Sequence, residues 1–150
     1  MKASLGLGNV DVDWKYFDIA QDHMACQCGC GFGSNPAEFN HYLMEQLNLL
    51  REMWGAPIHL TSAARCEKHN EAVGGEKNSA HTPDADRQCR AVDIATPFTS
   101  FDRKRFILMA NRAHFQRIGI GKTFIHVDVA AEHGSPGHEE GWWVYHDARQ

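Results

Sequence analysis

Apolar positions along the chain fall into two helical stripes separated and followed by short β-like runs. Phe39, Leu43, Leu47, Leu50 and Trp54 recur at spacings of 4, 4, 3 and 4, which puts them on one face of a helix. Ahead of them, Gly31-Phe32-Gly33-Ser34-Asn35-Pro36 reads as a turn supplying an N-cap and a proline suited to a first helical turn, so a helix is predicted to start near Pro36. Gly55 and Pro57 stop it. A second helix is predicted to be capped by Ser100, with Asp102 in its first turn and Phe106, Met109, Ala110 and Ala113 on one face. Arg65–Val73 reads as a short helix ended by Gly74-Gly75.

Strands are predicted at Ile58–Ser62 from its alternation, at Ala91–Ala95 as a buried run carrying one acid and closed by Pro97, and at Ile118–Ile120, Thr123–Ala130 and Trp142–Tyr145, which are rich in β-branched or aromatic residues. A polar loop runs from Glu76 to about Arg90. The order of elements gives a single α+β domain over residues 1–150, expected as an antiparallel sheet backed by helices, with residues 1–16 as an extended arm.

Length and charge narrow the function classes. A chain of 150 residues buries a sizeable core without a disulfide or metal staple. Fifteen basic against nineteen acidic residues, a net charge of −4, leave no broad basic field for phosphates, so no nucleic-acid partner is expected. The apolar runs are far shorter than the roughly 20 residues of a membrane helix, which predicts no membrane insertion. The N-terminus lacks a basic region followed by an apolar run, so synthesis in the cytoplasm without a signal peptide is expected, as is a monomer.

The five cysteines, at 26, 28, 30, 66 and 89, do not form the pattern of a secreted disulfide framework; free thiols or a metal are the better readings. Cys26, Cys28 and Cys30 alternate, which would put three sulfurs on one side of an extended strand. With no fourth obvious thiol, the spacing does not predict a second zinc. Three other positions stand out: His81 in a Gly-rich loop, Asp93 inside Ala-Val-Asp-Ile-Ala, and His126 inside another strand. A carboxylate buried in an apolar strand needs a partner, and a metal is one. Two imidazoles and one carboxylate with an open fourth position are the ligand set of a catalytic zinc. Spacing alone does not decide between that reading and ordinary core residues.

The surrounding words add to it. Ser62-Ala-Ala-Arg65-Cys-Glu-Lys-His69-Asn70, Val73-Gly74-Gly75, Ser79-Ala80-His81, Ala91-Val92-Asp93-Ile94 and Phe124-Ile125-His126-Val127-Asp128-Val129 resemble, in this order, the zinc D-Ala-D-Ala carboxypeptidase and L-Ala-D-Glu endopeptidase family, which includes phage endolysins and is related to the hedgehog fold. The match extends over most of residues 17–130. The resemblance implies zinc held by His81, Asp93 and His126, with Arg65 gripping a carboxylate or carbonyl of a peptidoglycan peptide. It implies a protein that acts on the cell wall after release or as part of a phage particle.

Two departures stand out. His81 and Asp93 are twelve positions apart, further than the family spacing, so Thr82–Arg90 is expected to bulge outward, with Asp84 and Asp86 as weaker ligand candidates lacking an apolar strand context. The acid that several family branches place shortly before the last ligand is here Thr123. Asp128, two residues beyond His126 and on the same strand face, is left to accept a proton or to orient His126, with Glu132, His133, Glu139 and Glu140 as rivals. Ser79 is read as fixing the turn that aims His81, His69 as facing the loop, and Trp142, Trp143 and Tyr145 as closing the aromatic core, with the lining of a substrate groove as the alternative. A non-catalytic zinc-stabilised binding domain is the alternative reading.

Overall fold

The computed structural model describes residues 2–4, 11–96, 99–133 and 138–145. Pro97 therefore lies outside the described residues, as do the side chains of Glu132 and His133. The arm is not simply extended: β1 (Lys2–Ser4) and β2 (Asp11–Asp13) pair antiparallel, and Trp14, just after them, is buried with its ring edge-on to Phe39 at 5.4 Å.

A single 3-10 turn, Pro36–Glu38, precedes α1 (His41–Trp54). The predicted helix thus splits in two. Asn35 and Glu38 form a reciprocal cap on the short turn, and the Asn40 side chain accepts from the backbone N–H groups of Tyr42 and Leu43 to start the long helix. Phe39 falls between them, in extended conformation, making a parallel bridge to Cys89. Leu43, Leu47 and Leu50 keep the predicted stripe and are fully buried, and Gly55 ends the helix at φ 75°.

After β3 (Leu60–Ser62), Cys66 caps α2 (Glu67–Ala72); β4 (Ala91–Ala95) then leads to α3 (Ser100–Arg112). The cap of α3 is Thr99, whose hydroxyl accepts from the Asp102 N–H, rather than Ser100. β5 (Arg117–Ile120), β6 (Phe124–Asp128), a 3-10 turn at Ala130–His133 and β7 (Gly141–Val144) complete the order. The chain is α+β as expected.

The five-stranded sheet runs β3-β4-β6-β5-β7. Its first four strands pair antiparallel, but β7 lies parallel to β5, so the sheet is mixed rather than antiparallel throughout. The chain crosses from β6 to the far side of β5 before β7 begins, which delivers β7 in the parallel sense. Alternation sorts the two faces. Val92, Ile94, Ile118, Ile125 and Val127 are buried in one core with α1 and α3, where Trp54 meets Phe106 edge-on at 5.2 Å. Asp93, His126 and Asp128 alternate with them onto the other face. No helix among the described residues is long and apolar enough to cross a membrane.

Candidate metal centre

Sheet register builds the centre. One cross-strand row runs Ser62, Asp93, His126, Gly119, Trp143 over five strands, so Asp93 and His126 are direct neighbours. His81 joins them from the loop after α2. Its ring Nδ1 donates to the Ala63 carbonyl at 2.6 Å, its carbonyl accepts from Arg65 N–H, and its N–H donates to Ser79 Oγ at 3.2 Å, the aiming role read for Ser79.

Three donor atoms converge. His81 Nε2 is 3.2 Å from Asp93 Oδ1 and 3.2 Å from His126 Nδ1, and the latter is 2.9 Å from Asp93 Oδ1. All three residues are buried. Donors of a tetrahedral zinc with bonds of about 2.0 Å stand about 3.3 Å apart, so the spacing suits that ion. The opposite ring atoms argue the same way. A carbonyl only accepts, so His81 Nδ1 carries the proton and Nε2 presents a lone pair to the centre; His126 Nε2 faces Asp128 Oδ2 at 2.7 Å, which turns Nδ1 inward. Lone pairs and a carboxylate aimed at one point need a cation between them.

Electrostatics follow from the packing. Burial pushes His81 below the ordinary imidazole value despite Asp93. Burial also works against the Asp93 carboxylate, but the neighbouring imidazoles of His81 and His126 hold it well below the usual carboxylate range. At His126 burial is outweighed by the hydrogen bonds to Asp128 and Asp93, and the pKa rises to about 9. A proton on His126 thus balances the carboxylates wherever no metal does.

Asp128 is fully buried. Besides His126 it accepts from Arg117 Nε at 2.9 Å and from Ala130 N–H at 3.0 Å, and Arg117 is its cross-strand partner. Its carboxylate therefore sits behind the ring of His126, away from the nitrogen that faces Asp93. Asp84 and Asp86 are not part of the centre: Asp84 accepts from the N–H groups of Asp86 and Gln88 inside the inserted loop. That loop leaves after Ala80 and returns at Arg90, whose N–H donates to the Ala80 carbonyl at 2.9 Å, so the added residues form a closed excursion. Glu139 and Glu140 are exposed.

The centre opens into a cleft of about 270 Å³ lined by Arg65, His69, Glu76, Phe124 and Tyr145 together with the three donors. Arg65 reaches Asp93 Oδ2 at 3.3 Å and Asn70 Oδ1 at 3.1 Å. Asn70 in turn donates to the Glu76 carbonyl, and a Cβ on Gly75 would lie 2.1 Å from its amide oxygen, which is why the turn after α2 carries glycine there. His69 lines the cleft without joining the donor set.

The aromatic run divides between solvent and the cleft instead of closing a core. Trp142 is exposed, whereas Trp143 lies 5.3 Å from the His126 ring and under the Arg117 guanidinium, and Tyr145 lines the cleft. Alternation along β7 was the available signal, since it puts 143 and 145 on one side. Burial and then Asp93 raise the Tyr145 phenol to about 12, so it stays a donor.

The model of the Peptidase M15 family matches residues 15–128, well over half of the chain and the whole span from Trp14's neighbour to Asp128. The chain belongs to the Peptidase M15 family. A comparison with curated proteins finds no match. The matched span contains Arg65, His81, Asp93, His126 and Asp128, while Trp143 and Tyr145 lie beyond it.

Proposed function

We propose that the chain is a zinc peptidase hydrolysing an amide bond in peptidoglycan stem peptides, as carboxypeptidase or endolysin-type endopeptidase. Family membership supports the peptidase class, and the observation that carries the site is the convergence of His81 Nε2, Asp93 Oδ1 and His126 Nδ1 at the base of an open cleft. These three atoms would hold the zinc, which when bound supplies Lewis acidity that activates water and polarises a carbonyl near neutral pH.

The remaining residues divide the other tasks. Ala63 and Asp128 fix which nitrogen of each imidazole faces inward; of the two roles open to Asp128, the geometry supports orientation over proton acceptance. Arg65, a planar fork at the cleft wall, binds a peptide carboxylate or carbonyl. Tyr145, kept protonated, donates to oxygen charge that develops at the scissile carbonyl. Glu76 is the acid besides Asp93 among the described lining residues and takes the proton-transfer role.

Zinc content and release of amino groups from purified cell wall, measured together on the native chain and His126→Ala, test the reading. Activity in the native chain that disappears in the variant with one equivalent of zinc is expected. Native chain that keeps zinc at this centre yet releases no amine from any wall type would overturn the peptidase reading in favour of a zinc-stabilised binding domain.

A further inference from the structure

The fourth thiol that the sequence did not reveal is Cys66. In the structure the segment at Cys26–Cys30 is a tight loop and not an extended strand: Cys26 N–H donates to the Phe32 carbonyl at 2.8 Å, Gly29 N–H donates back to the Cys26 carbonyl, and Gly29 and Gly31 take φ values of 80° and 94°. The loop turns its sulfurs toward the N-cap of α2. Cys26 Sγ lies 3.4 Å from Cys28 Sγ, Cys28 Sγ lies 3.7 Å from Cys66 Sγ, and the sulfurs of Cys26, Cys28, Cys30 and Cys66 all fall within 4.8 Å of one another.

We propose that these four cysteines form a second, structural metal site, a tetrathiolate zinc centre. Zinc–sulfur bonds of about 2.3 Å place the corners of a tetrahedron about 3.8 Å apart, a separation that the Cys26–Cys28 and Cys28–Cys66 pairs approach. Disulfide pairing has no such need for four mutually close sulfurs, and all four are free thiols here. Two backbone donors already point at the sulfurs, Cys66 N–H to Cys26 Sγ and His69 N–H to Cys66 Sγ, both at 3.3 Å, as bound thiolates require. Soft thiolates in a closed set of four select zinc, and each gives its proton to solvent as its sulfur binds. With no open position, the centre binds no substrate.

Its place in the fold gives it a task. The ion would tie the 26–30 loop to a residue some 40 positions later, and the residues flanked by its ligands face the cleft: Gln27 lies between two of them and Arg65 immediately precedes the fourth. Gln27 Nε2 also donates to the Thr61 carbonyl on β3. The second ion thus braces the wall that carries Arg65. The inference is independent of the peptidase reading, because a chain with thiol-bound zinc and no hydrolytic activity would defeat that reading and keep this one.

Elemental analysis of the native chain should give two equivalents of zinc, with one remaining in His81→Ala and one in the double variant Cys28→Ser, Cys30→Ser. Should the cysteine variant not fold, cobalt reconstitution of native chain and His81→Ala decides the matter: an intense thiolate-to-cobalt charge-transfer band in both supports four sulfur ligands. A single equivalent lost entirely in His81→Ala, an absent charge-transfer band, or recovery of these cysteines as disulfides from the native protein would overturn it.

Discussion

Asp128 shows how one side chain decides the state of another. Its oxygen at 2.7 Å fixes the His126 tautomer, and Arg117 and Ala130 hold that oxygen in place. Replacing it by asparagine keeps the volume but removes the charge and weakens the acceptor. Asp128→Asn is therefore expected to lower zinc affinity at the histidine centre by about 10–100-fold, read by competition with a chromophoric chelator; unchanged affinity would mean that Asp128 serves Arg117 alone. Protonation of His126 supplies a second prediction. Its pKa in the folded, metal-free chain is raised from 6.5 to about 9, so the stability it contributes is fully present below about 6.5 and is lost as pH rises through about 9. Thermal melts of chelated protein should show a decline across that window that is reduced in Asp128→Asn. His81, Asp93 and His126 were conspicuous in the sequence because polar groups in apolar strands or a Gly-rich loop need an explanation. The inward-facing nitrogen of each ring was not legible, since it depends on Ala63 and on a carboxylate whose position only the folded sheet defines.

Elements bring these residues together through register. Gly119 occupies the row between His126 and Trp143, and a Cβ there would lie 2.7 Å from the rings of both Trp143 and Tyr145. The strand backbone itself tolerates alanine, so the cost of Gly119→Ala falls on the two rings. A stability loss of about 1–2 kcal/mol is expected by chemical denaturation, together with a fall in wall hydrolysis of at least about tenfold from displaced cleft groups. Activity retained with an unaltered near-ultraviolet tryptophan signal would show that the rings do not shape the cleft. The helical stripe from Leu43 to Leu50 was readable because helical periodicity is local. Phe39 fitted the same spacing, yet it pairs with Cys89 across 50 positions, and no period records such a partner. The parallel pairing of β7 was hidden for the same reason: it depends on a crossover, not on composition. Thr99 rather than Ser100 as cap is a one-residue shift of the kind that closely spaced hydroxyls allow.

At the scale of the molecule, Arg65 stands between two clusters of ligand-type side chains, with Asp93 of one at 3.3 Å from its guanidinium and Cys66 of the other as its chain neighbour. The two differ in what they would contribute. The histidine centre sits on a sheet whose core is complete without an ion, and its open side faces the cleft, so loss of zinc there should remove activity while the fold persists. The four-cysteine centre instead adds a cross-link between two segments that also meet through the Ala64 N–H bond to the Met24 carbonyl, the Gln27–Thr61 hydrogen bond and the N–H to sulfur bonds, so loss of its ion should loosen the Cys28–Cys30 tip and lower the melting temperature. Increasing chelator strength is thus expected to act in two stages: hydrolysis disappears first with little change in melting temperature, and removal of the second equivalent then lowers the melting temperature as the cysteines become reactive to thiol reagents. Zinc returned after the first stage should restore activity directly. Simultaneous loss of both equivalents, activity and stability at one chelator strength would show that the centres are coupled and that the thiol loop supports the histidine centre as well as Arg65.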